Sequence, residues 1–293
     1  MAQKFTANAG PSSAATVKPV VAAGLGIPAS PGPVMRPVSI ERPIRIAGLY
    51  GHNPQQNHVL AALPFADYER LAAHLELTSM PLGMVLADPS MSLQFAYFPT
   101  SSIVSWLHDT KEGASAETAV IGNEGVVGIG LCLGNGFGTG RAVVKSAGYG
   151  FRLRAGLLKE EFDRGGALQN HLLRYMQALL AQASQTAVCN RHHSVAQQLC
   201  RWLLMCIDRL PTNELSMTQE LIANMLGVRR ESVAEAAGRL QDEKLIHYSR
   251  GHITVTNRSG LEQRVCECYA NVRREYARLL PTRVERTLTH CTG

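Results

Sequence analysis

The chain lacks a long hydrophobic run. None of its segments approaches the roughly 18 consecutive apolar residues that a membrane-crossing helix requires, so we expect no membrane partner. The hydrophobic fraction of 45% is nevertheless ample for buried cores. At 293 residues, the chain has the length of about two domains.

The sequence also lacks a disulfide framework. Its seven cysteines are odd in number and scattered between Cys132 and Cys291. Such a pattern favours a reducing compartment, and we expect a cytoplasmic protein.

Motifs of common enzyme classes are missing as well. The sequence has no nucleophile elbow, no P-loop and no zincin motif, and the glycines between 122 and 140 are too irregular for a phosphate-binding loop. We therefore predict no catalytic residues and no enzymatic activity.

The net charge of +6 is concentrated at one end. Residues 1–46 carry five basic side chains against one acidic side chain, so +4 of the +6 lies there. A case for nucleic-acid binding must therefore rest on local pattern instead of on global charge. Residues 1–53 are rich in Ala, Pro, Gly and Ser, and such a composition predicts a disordered tail.

Residues 54–164 are predicted to form a β-rich domain. Two short amphipathic helices, broken at Pro64, are predicted within residues 57–77. Short apolar stretches then alternate with turn residues, which is typical of an antiparallel sandwich or barrel. The predicted strands are Met84–Leu86, Phe95–Phe98, Ile103–Leu107, Glu117–Ile121, Arg141–Lys145 and Gly150–Leu153.

Residues 165–193 are predicted to form one long helix. Its apolar positions step by four and three residues, as in a coiled-coil seam that packs on the barrel or on a second copy. We favour a second copy, because Leu173, Leu180 and Ala187 offer another apolar stripe to the barrel. The predicted dimerisation seam is Leu172, Met176, Leu179, Ala183, Thr186 and Asn190.

Residues 194–293 contain the most informative segment, from Thr218 to Thr256. A short helix after a Thr218 cap is followed by Gly227, a second helix at about 229–241 and a hairpin through Ser249-Arg250-Gly251. This order predicts a winged helix-turn-helix, which lays its second helix in the DNA major groove. One more helix is predicted from Gly260 to Leu280.

The inward stripe of the second helix leaves a set of polar residues facing outward. Arg230 is placed to donate two hydrogen bonds to a guanine, and Glu231 to accept from a cytosine or to orient Arg230. Ser232 and Thr218 suit phosphates. The predicted DNA-binding residues are Thr218, Gln219, Arg229, Arg230, Glu231, Ser232, Glu235 and Arg239.

Arg229 is unusual because a cation at a helix cap opposes the helix dipole. A nearby phosphate would reverse that effect, whereas a solvated surface arginine needs no partner. Both interpretations stay open at this point.

The stretch from Thr218 to Val233, TQELIANMLGVRRESV, resembles the helix-turn-helix pattern of the CRP/FNR family of bacterial transcription regulators. The resemblance spans about residues 57–256. It implies an α+β chain with a double-stranded β-helix (jelly-roll) barrel of the cyclic-nucleotide-binding type, a long dimerisation helix and a C-terminal winged helix. It also implies a homodimer on a palindromic double-stranded DNA operator, with RNA polymerase as a further partner.

The match departs from the family at two positions. Arg229 stands where the family usually has a capping Ser or Thr, and Glu235 where many members have an arginine. The family's usual half-site therefore does not carry over.

The barrel departs from the cyclic-nucleotide cassette. Gly128 and Arg141 match its glycine and its phosphate-binding arginine, but Ile129 replaces the glutamate that holds the ribose hydroxyl. We expect no tight binding of cyclic AMP, since an unpaired ligand hydroxyl costs about 1–3 kcal/mol. Arg141 is either a weak phosphate ligand or an ordinary strand-edge charge, the interpretation we favour. No cofactor is predicted, and the effector is left open.

Metal binding is not predicted either. Cys189 and His193 share a helix face near His192, but scattered Cys and His on apolar helices are more typical of packing. Cys266 and Cys268 lie in a predicted helix, where positions two apart do not face each other. The alternative to a DNA-binding regulator is a small-molecule sensor that acts through protein contacts.

Overall fold

The computed structural model describes residues 51–90, 92–134 and 140–280. Most of the predicted disordered tail at 1–53 lies outside these ranges, as do residues 281–293 with Cys291. No helix in the described ranges combines the length and the apolar character that a bilayer crossing requires.

The N-terminal domain opens with two short helices and continues as β-strands. Helices α1 (His58–Ala61) and α2 (Phe65–Ala72) flank Pro64, which confirms the predicted break. Among the described residues, the strands are β1 (Glu76–Met80), β2 (Val85–Ala87), β3 (Phe95–Pro99), β4 (Ile103–Asp109), β5 (Ser115–Ile121), β6 (Arg141–Ser146) and β7 (Gly148–Arg154). A single helical turn, α3 (Gly130–Leu133), lies between β5 and β6.

The strands form two antiparallel sheets, ordered β1-β7-β3 and β2-β6-β4-β5. Buried side chains such as Phe98, Val104 and Val144 fill the interior, and this confirms the predicted jelly-roll barrel. Each of the six predicted strands overlaps an observed one. Strand β1 was missed because its sequence, ELTSM, buries only Met80 fully and so lacks a clear alternation.

Helix α4 (Ala155–Asp163) leads into the long helix α5 (Ala167–His192), which falls within the predicted helix at 165–193. Two residues of the predicted seam do not fit a contact with a second copy, whereas the seam as a whole stays a prediction. Leu172 and Thr186, predicted to pair with a second copy, are buried in the protomer, and Met176, Leu179 and Ala183 are partly buried. Asn190 is exposed.

Hydrogen bonds explain why this polar-containing face packs inward. The buried Gln182 side chain donates to the Val120 carbonyl at 3.1 Å. Thr186 donates to the Gln182 carbonyl at 2.9 Å and accepts from Arg201 at 3.1 Å. The stripe assigned to the barrel is instead exposed, with Leu173 at 40% and Leu180 at 61%. The stripe predicted to pack on the barrel is therefore the more exposed of the two in the protomer.

The C-terminal domain follows α5 after a short break at Ser194, which caps the next helix through a reciprocal capping box with Gln197. Its elements are α6 (Val195–Ile207), β8 (Glu214–Ser216), α7 (Gln219–Leu226), α8 (Arg230–Asp242), β9 (Ile246–Ser249), β10 (His252–Val255), α9 (Arg258–Arg264) and α10 (Glu267–Leu279). Trp202 is central to a core that also takes in Ile103 and Val120 of the barrel.

The predicted helix from Gly260 to Leu280 is two helices. The backbone is extended at Val265 (φ −72°, ψ 152°) and at Cys266 (φ −73°, ψ 165°), so α9 ends and α10 begins there. Cys266 is therefore the cap residue of α10 and does not lie inside a helix. The expectation that Cys266 and Cys268 diverge rested on a continuous helix and was wrong on that point.

Candidate nucleic-acid interface

The first helix of the motif is fixed at both ends by its sequence. The Thr218 hydroxyl accepts from the Leu221 N–H at 3.2 Å, which confirms the predicted cap. Gly227 ends α7 at φ 66° and ψ 33°, a left-handed conformation that suits glycine. Gln219 is half-buried at the first position of α7. These two residues therefore define where α7 begins and ends.

The first turn of α8 presents charge to solvent. Arg229 is the cap residue and its side chain makes no capping hydrogen bond. Arg229, Arg230 and Glu231 are exposed, and none of them joins an ion pair in the part of the chain that the structure describes. Val233, Ala237 and Leu240 are buried, as the inward stripe predicts. The geometry therefore leaves two guanidinium groups at the positive end of a helix.

The next turn of α8 is charge-balanced. Glu235 and Arg239 form an ion pair four residues apart, with both side chains about two-thirds exposed. Ser232 is half-buried beside them. Because an exposed pair of this kind contributes little stability, roughly 0.3–0.5 kcal/mol, it is easily exchanged for another partner.

The wing is braced against the two helices. The Tyr248 hydroxyl donates to the Met217 carbonyl at 2.8 Å, and its N–H donates to Gln241 Oε1 at 2.7 Å. Burial raises the pKa of Tyr248, and the nearby charge of Arg230 opposes that rise. The turn of the hairpin is formed by Arg250 (φ 50°) and Gly251 (φ 80°), both with positive φ.

Arg250 is a candidate site residue that the sequence reasoning did not select. It is exposed at the tip of the wing, on the same domain as the first turn of α8. The predicted turn Ser249-Arg250-Gly251 already contained the signal, since a cation at a hairpin tip reaches farther than one on a strand.

In the barrel, Arg141 is paired with a carboxylate of the same chain. Arg141 Nε contacts Asp109 Oδ2 at 2.5 Å, and a second nitrogen donates to Asp109 Oδ1 at 3.1 Å. This pairing lowers the pKa of Asp109. Gly128 has φ 110°, and an added Cβ would meet the Ala96 backbone at 3.2 Å. Ile129 is buried, and its side chain offers no hydrogen-bond acceptor to a ribose hydroxyl.

A cavity of about 380 Å³ lies between the barrel and α5. Its walls are mainly apolar and include Trp106, Ile129, Leu133, Met176 and Leu179. Arg141 is not among its lining residues. The space suits a small apolar molecule better than a phosphate.

A group of potential metal ligands lies apart from both the first turn of α8 and the barrel cavity. Cys189, His193, Cys266 and Cys268 converge where α5 ends and α10 begins. His192, which was considered with them, is exposed and lies outside this group.

Comparisons with known proteins agree with this arrangement. A model of the Crp-like helix-turn-helix domain matches residues 197–264. No curated protein matches the chain by sequence.

Solved structures share the fold at low identity. A CRP/FNR-family transcriptional regulator from Eubacterium rectale is 19% identical with a TM-score of 0.55, and the match covers 70% of this chain and 96% of that one. FixK2 from Bradyrhizobium japonicum is 15% identical with a TM-score of 0.57, over 66% and 98%. A CRP-family regulator from Thermus thermophilus is 14% identical with a TM-score of 0.52, over 64% and 95%. Residues 197–264 therefore match the Crp-like helix-turn-helix domain, and the chain shares its fold with solved regulators of the CRP/FNR family.

Proposed function

We propose that the protein is a dimeric, sequence-specific transcription regulator that reads a palindromic operator through α8. The observation that carries the proposal is the exposed and unpaired first turn of α8, with Arg229 and Arg230 beside the wing. It is supported by the Crp-like domain match over residues 197–264.

Each exposed group is assigned a role by its chemistry. Arg230 donates a pair of hydrogen bonds to a guanine, and Glu231 accepts from a cytosine amino group. Arg229 meets a phosphate, which turns its unfavourable position at the helix start into a favourable one. Thr218 and Ser232 also contact phosphates of the DNA backbone. The Thr218 hydroxyl can donate its proton to a phosphate while its oxygen caps α7.

Dimerisation is assigned to the exposed stripe of α5. Leu173, Leu180 and Ala187 recur every seven residues on one face, with Val188 beside them at 47% exposed. Heptad spacing of apolar residues lets two helices pair along a seam. Such a pair would present two recognition helices about 34 Å apart, one helical turn of DNA.

The barrel cavity is the proposed sensor site. Its apolar walls and the pairing of Arg141 with Asp109 favour a small apolar effector over a cyclic nucleotide. An effector in the cavity would contact α5 through Met176 and Leu179, and so act on the helix that joins the two domains. Contact with RNA polymerase stays a prediction.

Selection from a random duplex library with the full-length protein tests the proposal. We expect enrichment of a two-fold symmetric sequence whose half-sites are centred about 10 base pairs apart. The control is the full chain with Arg229 and Arg230 both changed to alanine, which should enrich no sequence. Failure of the unmodified protein to enrich any sequence would contradict the proposal.

A further inference from the structure

Four side chains of metal-binding type converge at the junction of α5 and α10. The Sγ atoms of Cys189 and Cys266 are 3.6 Å apart, and the Sγ atom of Cys268 is 3.5 Å from His193 Nδ1. All four potential ligand atoms lie within 4.8 Å of one another. The three cysteines are buried and His193 is half-buried.

We propose that Cys189, His193, Cys266 and Cys268 bind a single Zn²⁺ ion. Structural zinc sites use three thiolates and one imidazole in a tetrahedron, and bonds of about 2.3 Å place neighbouring ligand atoms about 3.8 Å apart. The observed separations of 3.6 and 3.5 Å are close to that edge, and the remaining ones, all within 4.8 Å, need to shorten by at most about 1 Å. Sites rich in thiolates select soft or borderline metal ions. Zinc is the ion proposed here because it is of this class and has no redox chemistry.

The chain brings the ligands together through two helix ends. Cys189 and His193 are four residues apart at the C-terminal end of α5, and so share a face. Cys266 caps α10 and Cys268 lies in its first turn, where the dipole favours thiolates. The break between α9 and α10 lets both sulfur atoms turn toward α5.

Neighbouring polar groups orient the ligands as they do at zinc sites. With Nδ1 of His193 toward the cluster, its Nε2 lies 3.4 Å from Glu267 Oε1. A carboxylate on the far nitrogen fixes the ring and its tautomer. The Gln185 amide donates to Cys268 Sγ at 3.1 Å, a contact that favours the thiolate.

The charge of the surroundings also fits. Three thiolates around Zn²⁺ carry a net charge of −1. Arg201 is only 4% exposed, its Nε has no hydrogen-bond partner, and it forms no ion pair among the residues that the structure describes. Its positive charge acts on Cys189. The buried Glu117, whose pKa burial raises to about 7, offsets the charge of Arg201 only in part, and an anionic metal site would supply further negative charge.

The location gives the ion a mechanical role. His193 is the cap residue that follows α5, and Ser194 begins the capping box of α6. A bound ion would hold α10 against α5 at the point where the long helix passes into the DNA-binding domain. Zinc would therefore add a fixed link between α10 and α5, beside contacts such as that of Asn271 with Gln185.

Native and denaturing mass spectrometry of the full-length protein, purified under reducing conditions with Zn²⁺, tests the proposal. We expect one zinc per chain, lost on denaturation. The double variant Cys266→Ser/Cys268→Ser should lose it, whereas Cys132→Ser, a buried cysteine in the barrel, should keep it. Cobalt substitution of the unmodified protein should give thiolate-to-cobalt charge transfer and tetrahedral visible bands.

A ligand exchange keeps the test decisive if the double variant does not fold. Cys268→His should retain one metal per chain but shift the cobalt spectrum, since a thiolate is replaced by an imidazole. A zinc-free unmodified protein, a Cys189–Cys266 disulfide in place of the ion, or a cobalt spectrum that Cys268→His leaves unchanged would overturn the proposal.

Discussion

The winged helix and the barrel each place an arginine, Arg230 and Arg141, where an anionic ligand is expected. The two arginines differ in whether a neighbouring carboxylate pairs with them. Arg230 stands exposed at the start of α8 without an ion pair among the described residues. Arg141 is held by Asp109 through two hydrogen bonds. The winged helix keeps its charge available to an external partner, whereas the barrel satisfies its charge internally.

The contrast shows that, for binding an anionic ligand, whether an arginine is already paired matters more than the presence of an arginine. The arginine in a partly exposed ion pair gives up about 1 kcal/mol or less when it turns to a ligand, whereas an unpaired arginine loses only water. The same distinction separates the two faces of α5. One face satisfies Gln182 and Thr186 inside the protomer, and the other leaves Leu173 and Leu180 in solvent.

The largest effect is expected where an exposed apolar face is changed. Leu180→Glu puts a charge into the proposed dimer seam and should yield a monomer. Loss of the second half-site contact should weaken operator binding by roughly 100-fold or more. Analytical ultracentrifugation and binding titration would measure both effects. Leu82→Glu, at an exposed leucine of the barrel, should leave both unchanged; a dimeric Leu180→Glu would contradict the seam.

A buried carboxyl group gives the next largest effect. Glu117 accepts a hydrogen bond from Ser105 between barrel and α6, near Arg201 and Lys145, and burial raises its pKa to about 7. The folded state therefore holds its proton between about pH 4.5 and pH 7, whereas the unfolded state releases it. Stability from this group is present below pH 4.5 and is lost as pH rises through 7.

Glu117→Gln should remove this pH dependence. We expect the variant to gain up to about 3 kcal/mol in its free energy of unfolding relative to the unmodified protein above pH 7. Urea unfolding between pH 4.5 and pH 8 would measure it, with Glu112→Gln at an exposed turn as the control. Parallel pH curves for the unmodified protein and Glu117→Gln would show that the group titrates normally.

A smaller effect is expected at the wing tip. Arg250→Asn keeps a residue that tolerates positive φ but removes the charge. It should weaken binding about equally on all sequences and lower the slope of log affinity against log salt by about 1. Lys111→Asn, at a barrel turn, should change neither. A selective loss on one sequence would mean that Arg250 reads bases.

The smallest effect is expected at the paired arginine of the barrel. Arg141→Ala should change the free energy of unfolding by less than about 1 kcal/mol, because the pair with Asp109 is partly exposed. Cyclic AMP should not raise the melting temperature of the unmodified protein or of the variant. A cyclic-AMP-dependent stabilisation that Arg141→Ala abolishes would restore the nucleotide-binding interpretation.

Local pattern predicted the winged helix because its signals are short-range. Thr218 caps its own helix, Gly227 supplies its own left-handed turn, and the inward stripe of α8 repeats with the helix period. Strand-forming segments of the barrel were found for the same reason. Neither result needs information about residues far away in the chain.

The missed features depend on residues far apart in the chain. Whether Leu172 or Leu173 faces the barrel is decided by partners such as Val120, which periodicity cannot reveal. The convergence of Cys189 with Cys266 joins positions 77 residues apart. It also needs the helix break at Cys266, which no glycine or proline marks.

The central claim is that α8 reads sequence through Arg230. Affinities of the unmodified protein and of Arg230→Ala should be measured on the selected operator and on a duplex with one half-site guanine replaced. We expect the unmodified protein to prefer the operator by roughly tenfold or more, and Arg230→Ala to bind both duplexes equally. An Arg230→Ala variant that loses the same factor on both duplexes, and so keeps the full preference, would contradict the claim.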